Sequence, residues 1–150
     1  MLLEKFYIRG GKPLTGTVTI GGAKNAVVAI MPAALLADES CTIDNLPYID
    51  DVITLADILE EVGAKVSLST KGRITIDGST VTDHKAPYDM VKRMRASYYL
   101  LGVLLGKFGK AEIPLPGGCE IGARPIDQHI KGFEALGAKV EIEHGIVRAE

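Results

Sequence analysis

Leu14, Gly16, Val18 and Ile20 alternate with Thr15, Thr17 and Thr19. That period of two predicts a half-buried strand over 14–20. A shorter strand is predicted over 5–9, with Gly10-Gly11-Lys12-Pro13 as the turn between them. After Gly21-Gly22-Ala23-Lys24-Asn25 the pattern becomes a continuous apolar run over 26–37, read as a buried helix kinked at Pro32. A short strand follows over 40–43. Leu46-Pro47 ends it, and Asp50-Asp51 supply N-cap chemistry for a helix to about residue 62. Gly63 stops that helix. Residues 64–68 and 73–76 read as a hairpin around Lys71-Gly72, and 77–88 as loop. The same order of elements then returns: helix 91–107, strand 111–115, helix 126–136 with a stop at Gly137, strand 138–142, a His144-Gly145 turn, and a strand from Ile146.

The return is visible in the letters. Val62-Gly63-Ala64-Lys65-Val66 recurs as Leu136-Gly137-Ala138-Lys139-Val140, Leu35-Leu36 as Leu104-Leu105, and Leu46-Pro47 as Leu115-Pro116. Between that last pair and the following helix the first copy spends residues 48–51, the second residues 117–125. One copy of a duplicated scaffold therefore carries an enlarged loop, where function tends to sit. The unit of helix, strand, helix, strand, strand predicts a layered α/β (α+β) arrangement with helices against short sheets. The chain stops just after a strand begins, so it reads as the front part of something longer.

Bulk properties narrow the function classes. The 150 residues suffice for one domain with a core. A net charge of −2 gives no bulk reason to expect nucleic-acid or membrane binding. With no Trp, platforms for stacking bases are scarce. Cys41 and Cys119 make neither a metal pattern nor a disulfide framework, which fits a reducing, cytoplasmic setting. The N-terminus lacks the long apolar core of a signal peptide, and the 26–37 run is too short to span a bilayer.

Chemistry concentrates in the enlarged loop, Pro116-Gly117-Gly118-Cys119-Glu120-Ile121-Gly122-Ala123-Arg124-Pro125. Its glycines permit close backbone approach to a ligand, and Pro125 suits the first turn of a helix. The N–H groups of that turn, with Arg124 beside them, suit an anion. A thiol in such a place has its pKa lowered from about 8.5. The plainer reading, a surface turn with a bystander cysteine, stands beside this one on the loop alone.

Four motifs carry a resemblance over essentially the whole chain: Gly22-Ala23-Lys24-Asn25, Ala86-Pro87-Tyr88-Asp89, Met94-Arg95-Ala96-Ser97, and Leu115-Pro116-Gly117-Gly118-Cys119 with Ile121-Gly122-Ala123-Arg124-Pro125. In this order they resemble the UDP-N-acetylglucosamine 1-carboxyvinyltransferases, or UDP-N-acetylglucosamine enolpyruvyl transferases. The sister family acting on shikimate 3-phosphate shares fold and reaction but not the Pro-Gly-Gly-Cys loop. The resemblance implies transfer of enolpyruvyl from phosphoenolpyruvate to the 3′-hydroxyl of UDP-N-acetylglucosamine with release of phosphate, the first committed step of peptidoglycan synthesis. It implies small-molecule substrates, no cofactor, no metal, no nucleic acid and no membrane. The implied fold is an inside-out α/β barrel of repeated units, two domains of three units each, with the active site between them. On that plan, residues 1–21 are strands belonging to the second domain and 22–150 are the first two units of the cysteine-loop domain. The chain is then an incomplete N-terminal portion expected to have little or no turnover alone. The rival is a non-catalytic nucleotide-sugar-binding or thiol-sensing paralogue.

Residue by residue, the resemblance makes Cys119 the proton donor to the methylene carbon of phosphoenolpyruvate and the target of fosfomycin-type epoxides. Some relatives carry Asp there, so proton donation is the essential role. Lys24 and Asn25 match residues meeting phosphoenolpyruvate and the sugar; from the residues alone they would be a solvated lysine and a helix cap. Arg124 matches an arginine binding phosphoenolpyruvate and the nucleotide, and Arg95 a substrate-site arginine. Pro125, Ile126, Asp127 and Gln128 match the segment lining the uridine. Tyr99 stands where many relatives have another aromatic near the base. His129 reads as a structural histidine and Cys41 as a buried one.

Overall fold

The computed structural model describes residues 5–115 and 125–150, with Met90, Lys92, Arg93 and Arg95 described by their backbone. Its order begins with α1 (Lys24–Ala33), which tightens into a 3₁₀ turn, Ala34–Leu36. Val27, Val28, Met31, Pro32, Ala34 and Leu35 are the buried residues of this stretch. Pro32 lies near the helix end, where the chain changes to 3₁₀ geometry. The Lys107 Nζ donates to the Leu35 carbonyl at 2.8 Å, satisfying one acceptor of the turn.

Strand β1 (Cys41–Ile43), helix α2 (Asp50–Glu61) and strands β2 (Lys65–Ser69) and β3 (Arg73–Asp77) complete the first unit. The sheet is antiparallel in the order β1-β3-β2. Ile74 and Ile76 of the central strand are fully buried, facing Ile43 and Cys41 on one side and Leu68 and Val66 on the other. Gly63 (φ 105°) ends α2 in the left-handed region, as predicted.

The second unit has α3 (Tyr88–Arg93), a 3₁₀ turn (Arg95–Tyr98), α4 (Tyr99–Phe108), β4 (Ala111–Pro114), α5 (Asp127–Ala135), β5 (Val140–Glu143) and β6 (Ile146–Ala149). Its sheet, β4-β6-β5, has the same order and antiparallel sense. Gly137 (φ 100°) follows α5, and His144-Gly145, both at positive φ, turn β5 into β6. The units join through α1 against α4 and through a bridge between Lys85 and Glu112. One core runs across both, from Met31, Leu35, Leu55 and Leu59 to Leu100, Leu104, Ile113 and Val147.

Three expectations are corrected. Residues 5–9 and 14–20 form no strands; Phe6, Tyr7, Ile8, Leu14, Val18 and Ile20 are all more than four-fifths exposed. A strand needs a ladder partner, and among the described residues none pairs with this segment. Asp50 and Asp51 do not cap α2: Ile49 is the N-cap, and both acids sit in the first turn, where they complement the helix dipole. The helix predicted over 91–107 is broken at Met94, which is extended (φ −122°, ψ 119°).

Candidate functional site

The sequence-derived residues fall in two places. The first is where the N-termini of α1 and α2 meet. Lys24 is the first residue of α1, and its Nζ pairs with the Asp51 carboxylate in the first turn of α2. Both side chains remain partly open to solvent, 56% and 39% exposed, so the ammonium can meet an incoming anion. Asn25 beside it is exposed. The entry to α1 is fixed by backbone contact. A Cβ on Gly22 would overlap the carbonyl oxygen of Asn45, itself left-handed at φ 61°. The Asn45 turn is held in turn: Leu46 N–H donates to Gly72 O at 2.9 Å, and Arg73 Nε donates to Asp44 Oδ1 at 2.5 Å. That hydrogen bond, with the Asp44 charge, raises the Arg73 pKa further above its ordinary value.

The second place joins the 3₁₀ turn at Arg95 to the start of α5. The backbone places Arg95 first in the turn; its side chain lies outside what the structure describes. Tyr98, at the end of the turn, meets the His129 ring edge-on with centroids 4.8 Å apart. Tyr99 lies 4.5 Å from Tyr98, ring to ring, and packs against the core. Of the segment matched to the uridine, Pro125, Asp127 and Gln128 are exposed and Ile126 is buried. Gln128 Nε2 donates to Asp127 Oδ2 at 3.2 Å. Cys119 and Arg124 lie outside the described residues.

Sequence reasoning missed three participants. Asp51 was a cap rather than Lys24's partner, although opposite charges at two helix starts are the available signal. Tyr98, rather than Tyr99, makes the aromatic contact to His129. Ser97 is fully buried, and a lone small polar residue before an apolar helix is its signal. A cavity of about 210 Å³, lined by His84, Lys110, Glu112, Lys139, Glu141 and Arg148, includes none of the residues singled out by the motifs. Among the described residues no cluster of His, Cys, Asp and Glu could hold a metal ion, and no helix is long and apolar enough to cross a membrane.

The sequence pattern of the EPSP synthase (3-phosphoshikimate 1-carboxyvinyltransferase) family matches residues 8–150. The chain belongs to the EPSP synthase family. Within reach of it are UDP-N-acetylglucosamine 1-carboxyvinyltransferase 3 of Caldanaerobacter subterraneus subsp. tengcongensis, 60% identical over 97% of this chain and 35% of that protein, and UDP-N-acetylglucosamine 1-carboxyvinyltransferase 2 of Clostridium acetobutylicum, 54% identical over 99% and 35%. The chain thus spans about a third of the length of the curated relatives it matches. Among solved structures, the enolpyruvyl transferase NikO from Streptomyces tendae aligns with a TM-score of 0.73 at 26% identity, covering 93% of this chain and 31% of that one. EPSP synthase from Acinetobacter baumannii aligns with a TM-score of 0.64 at 16% identity, over 89% and 31%, a likeness of fold alone. The layered α/β class expected from the repeat is the fold of this EPSP synthase family member, with two open three-stranded sheets and no closed barrel among the described residues.

Proposed function

We propose that these residues form part of an enolpyruvyl transferase that moves the enolpyruvyl group of phosphoenolpyruvate to the 3′-hydroxyl of UDP-N-acetylglucosamine and releases phosphate. The reading rests on the 60% identity over 146 residues to a UDP-N-acetylglucosamine 1-carboxyvinyltransferase. The residue types agree with the chemistry. The sugar hydroxyl attacks C2 of phosphoenolpyruvate, giving its proton to a base that on this reading the second domain supplies, while the Cys119 thiol protonates C3 and becomes a thiolate. The tetrahedral intermediate then expels phosphate and returns a proton from C3 to the thiolate, restoring the double bond and the thiol. Lys24 and Arg124 meet the carboxylate and phosphate, whose charge they stabilise through the transition state. Asn25 meets phosphoenolpyruvate and the sugar. Arg95, Arg124 and the segment Pro125, Ile126, Asp127 and Gln128 hold the nucleotide sugar.

On the same reading, residues 1–21 pack against a second domain, 22–150 are two units of the first, and the 150 residues alone turn over slowly or not at all. The product places the activity in peptidoglycan synthesis, in the cytoplasm, with the thiol as the point of attack for fosfomycin-type epoxides. Calorimetric titration separates this reading from its sister. Binding of UDP-N-acetylglucosamine but not shikimate 3-phosphate is expected; the reverse preference would sink it.

A further inference from the structure

The break at Met94 has no cause in local propensity. Neither Pro nor Gly occurs between Val91 and Leu101, and methionine is a good helix former. Yet Met94 is extended, α3 ends at Arg93, and the chain restarts as a 3₁₀ turn at Arg95. The side chain at the break is Ser97, fully buried and the only buried polar or charged residue among those described. Its Oγ lies 2.6 Å from the Met94 carbonyl oxygen and 3.1 Å from that of Val91. A hydroxyl has one proton to donate, so the closer Met94 carbonyl takes most of it and Val91 shares the rest. The Ser97 N–H also donates to Met94 O, at 3.3 Å. One residue therefore satisfies the Met94 carbonyl twice. In a continuous helix that carbonyl would instead receive the N–H of Tyr98.

We propose that Ser97 is a positioning residue for Arg95: its buried hydroxyl holds Met94 extended and so fixes where the backbone carries Arg95 out of the helix. The inference rests on the reading that Arg95 serves the nucleotide-sugar site. Loss of the hydroxyl leaves the Met94 carbonyl with only the Ser97 N–H and the Val91 carbonyl with only the Met94 N–H, both long at 3.3 Å. The cheapest repair of these weakly satisfied buried groups is to let the helix run on through Met94. That repair rotates Arg95 about the helix axis.

The test joins a backbone signature to binding. The Met94 Cα and Cβ chemical shifts are measured in the wild type and in Ser97→Ala, and UDP-N-acetylglucosamine affinity in both, in Arg95→Met and in the double variant. The proposal expects extended-type Met94 shifts in the wild type moving to helical values in Ser97→Ala. It expects affinity to fall about tenfold in Ser97→Ala, with the double variant no weaker than Arg95→Met. Should Ser97→Ala not fold, Ser97→Cys, with a thiol as a much weaker donor, is expected to give the same order of effects. Unchanged Met94 shifts, or a folded Ser97→Ala with wild-type affinity beside a weakened Arg95→Met, overturns it. A wild type that binds no nucleotide sugar overturns the reading of the site and Arg95's part in it, and the Met94 shifts then report separately on whether Ser97 sets the break.

Discussion

His129 on the first turns of α5 rests edge-on against Tyr98 at the end of the 3₁₀ turn, ring centroids 4.8 Å apart and planes inclined at 60°. The contact ties the segment that opens α5 to the turn that begins with Arg95. An aromatic pair of this kind contributes about 0.5–1.5 kcal/mol. His129→Ala is expected to lower stability by that order and weaken UDP-N-acetylglucosamine binding several-fold, while His129→Phe keeps most of both. Thermal unfolding and calorimetry check this. A phenylalanine variant as impaired as alanine would show that the ring contact is not the tie.

On the proposed function, Asp51 and phosphoenolpyruvate compete for the Lys24 ammonium. The Lys24–Asp51 pair is partly exposed, so it adds at most about 1 kcal/mol to stability. Asp51→Asn removes both the competitor for the ammonium and a negative charge that repels an anion. Phosphoenolpyruvate is expected to bind several-fold more tightly, with the gain shrinking as salt rises. Weaker binding in Asp51→Asn would mean that the carboxylate orients Lys24 instead.

Gly22 and Gly21 are neighbours with opposite expectations. A Cβ on Gly22 overlaps the Asn45 carbonyl, while one on Gly21 meets nothing within 4 Å. Gly22→Ala is expected to cost about 1–3 kcal/mol and to displace the start of α1, lowering affinity for phosphoenolpyruvate. Gly21→Ala should stay within about 0.5 kcal/mol of the parent. Denaturant midpoints of the two variants decide it; equal midpoints would contradict the packing.

Acid sensitivity has a source in Asp77. Hydrogen bonds from the Ser79 hydroxyl at 2.6 Å and the Ser79 N–H at 3.0 Å hold its carboxyl below the ordinary value, against a smaller push from burial. Glu112 moves the same way: burial pushes its carboxyl up, but Arg148 and Lys85 together outweigh that push. A carboxyl depressed in the folded state binds protons more readily when unfolded. Its stabilisation is therefore complete above the unfolded value and lost as pH falls through the folded one. Urea midpoints between neutral pH and about pH 3 are expected to fall less steeply in Ser79→Ala than in the parent. Identical slopes would remove Asp77 from the account.

Legibility in the sequence followed how local each feature was. Gly63 and Gly137 end their helices where expected because a left-handed residue is a local need that glycine answers. The β2–β3 and β5–β6 hairpins were readable for the same reason. The alternation over 14–20 says which face could be buried, but it cannot supply a partner strand. The break at Met94 was invisible because its agent, Ser97, acts through hydrogen bonds to carbonyls three and six residues back, which leave no mark on the pattern of apolar and polar positions. The pairing of Lys24 with Asp51 likewise needs the two helix starts brought together.

The most direct test is the alkylation rate of Cys119 against pH in a Cys41→Ser background, with and without UDP-N-acetylglucosamine. The account predicts an inflection clearly below the thiol's usual value of about 8.5 and a rate that changes when the nucleotide sugar is added. An inflection at the usual value, with no effect of the ligand, would contradict a substrate site around this loop in these residues.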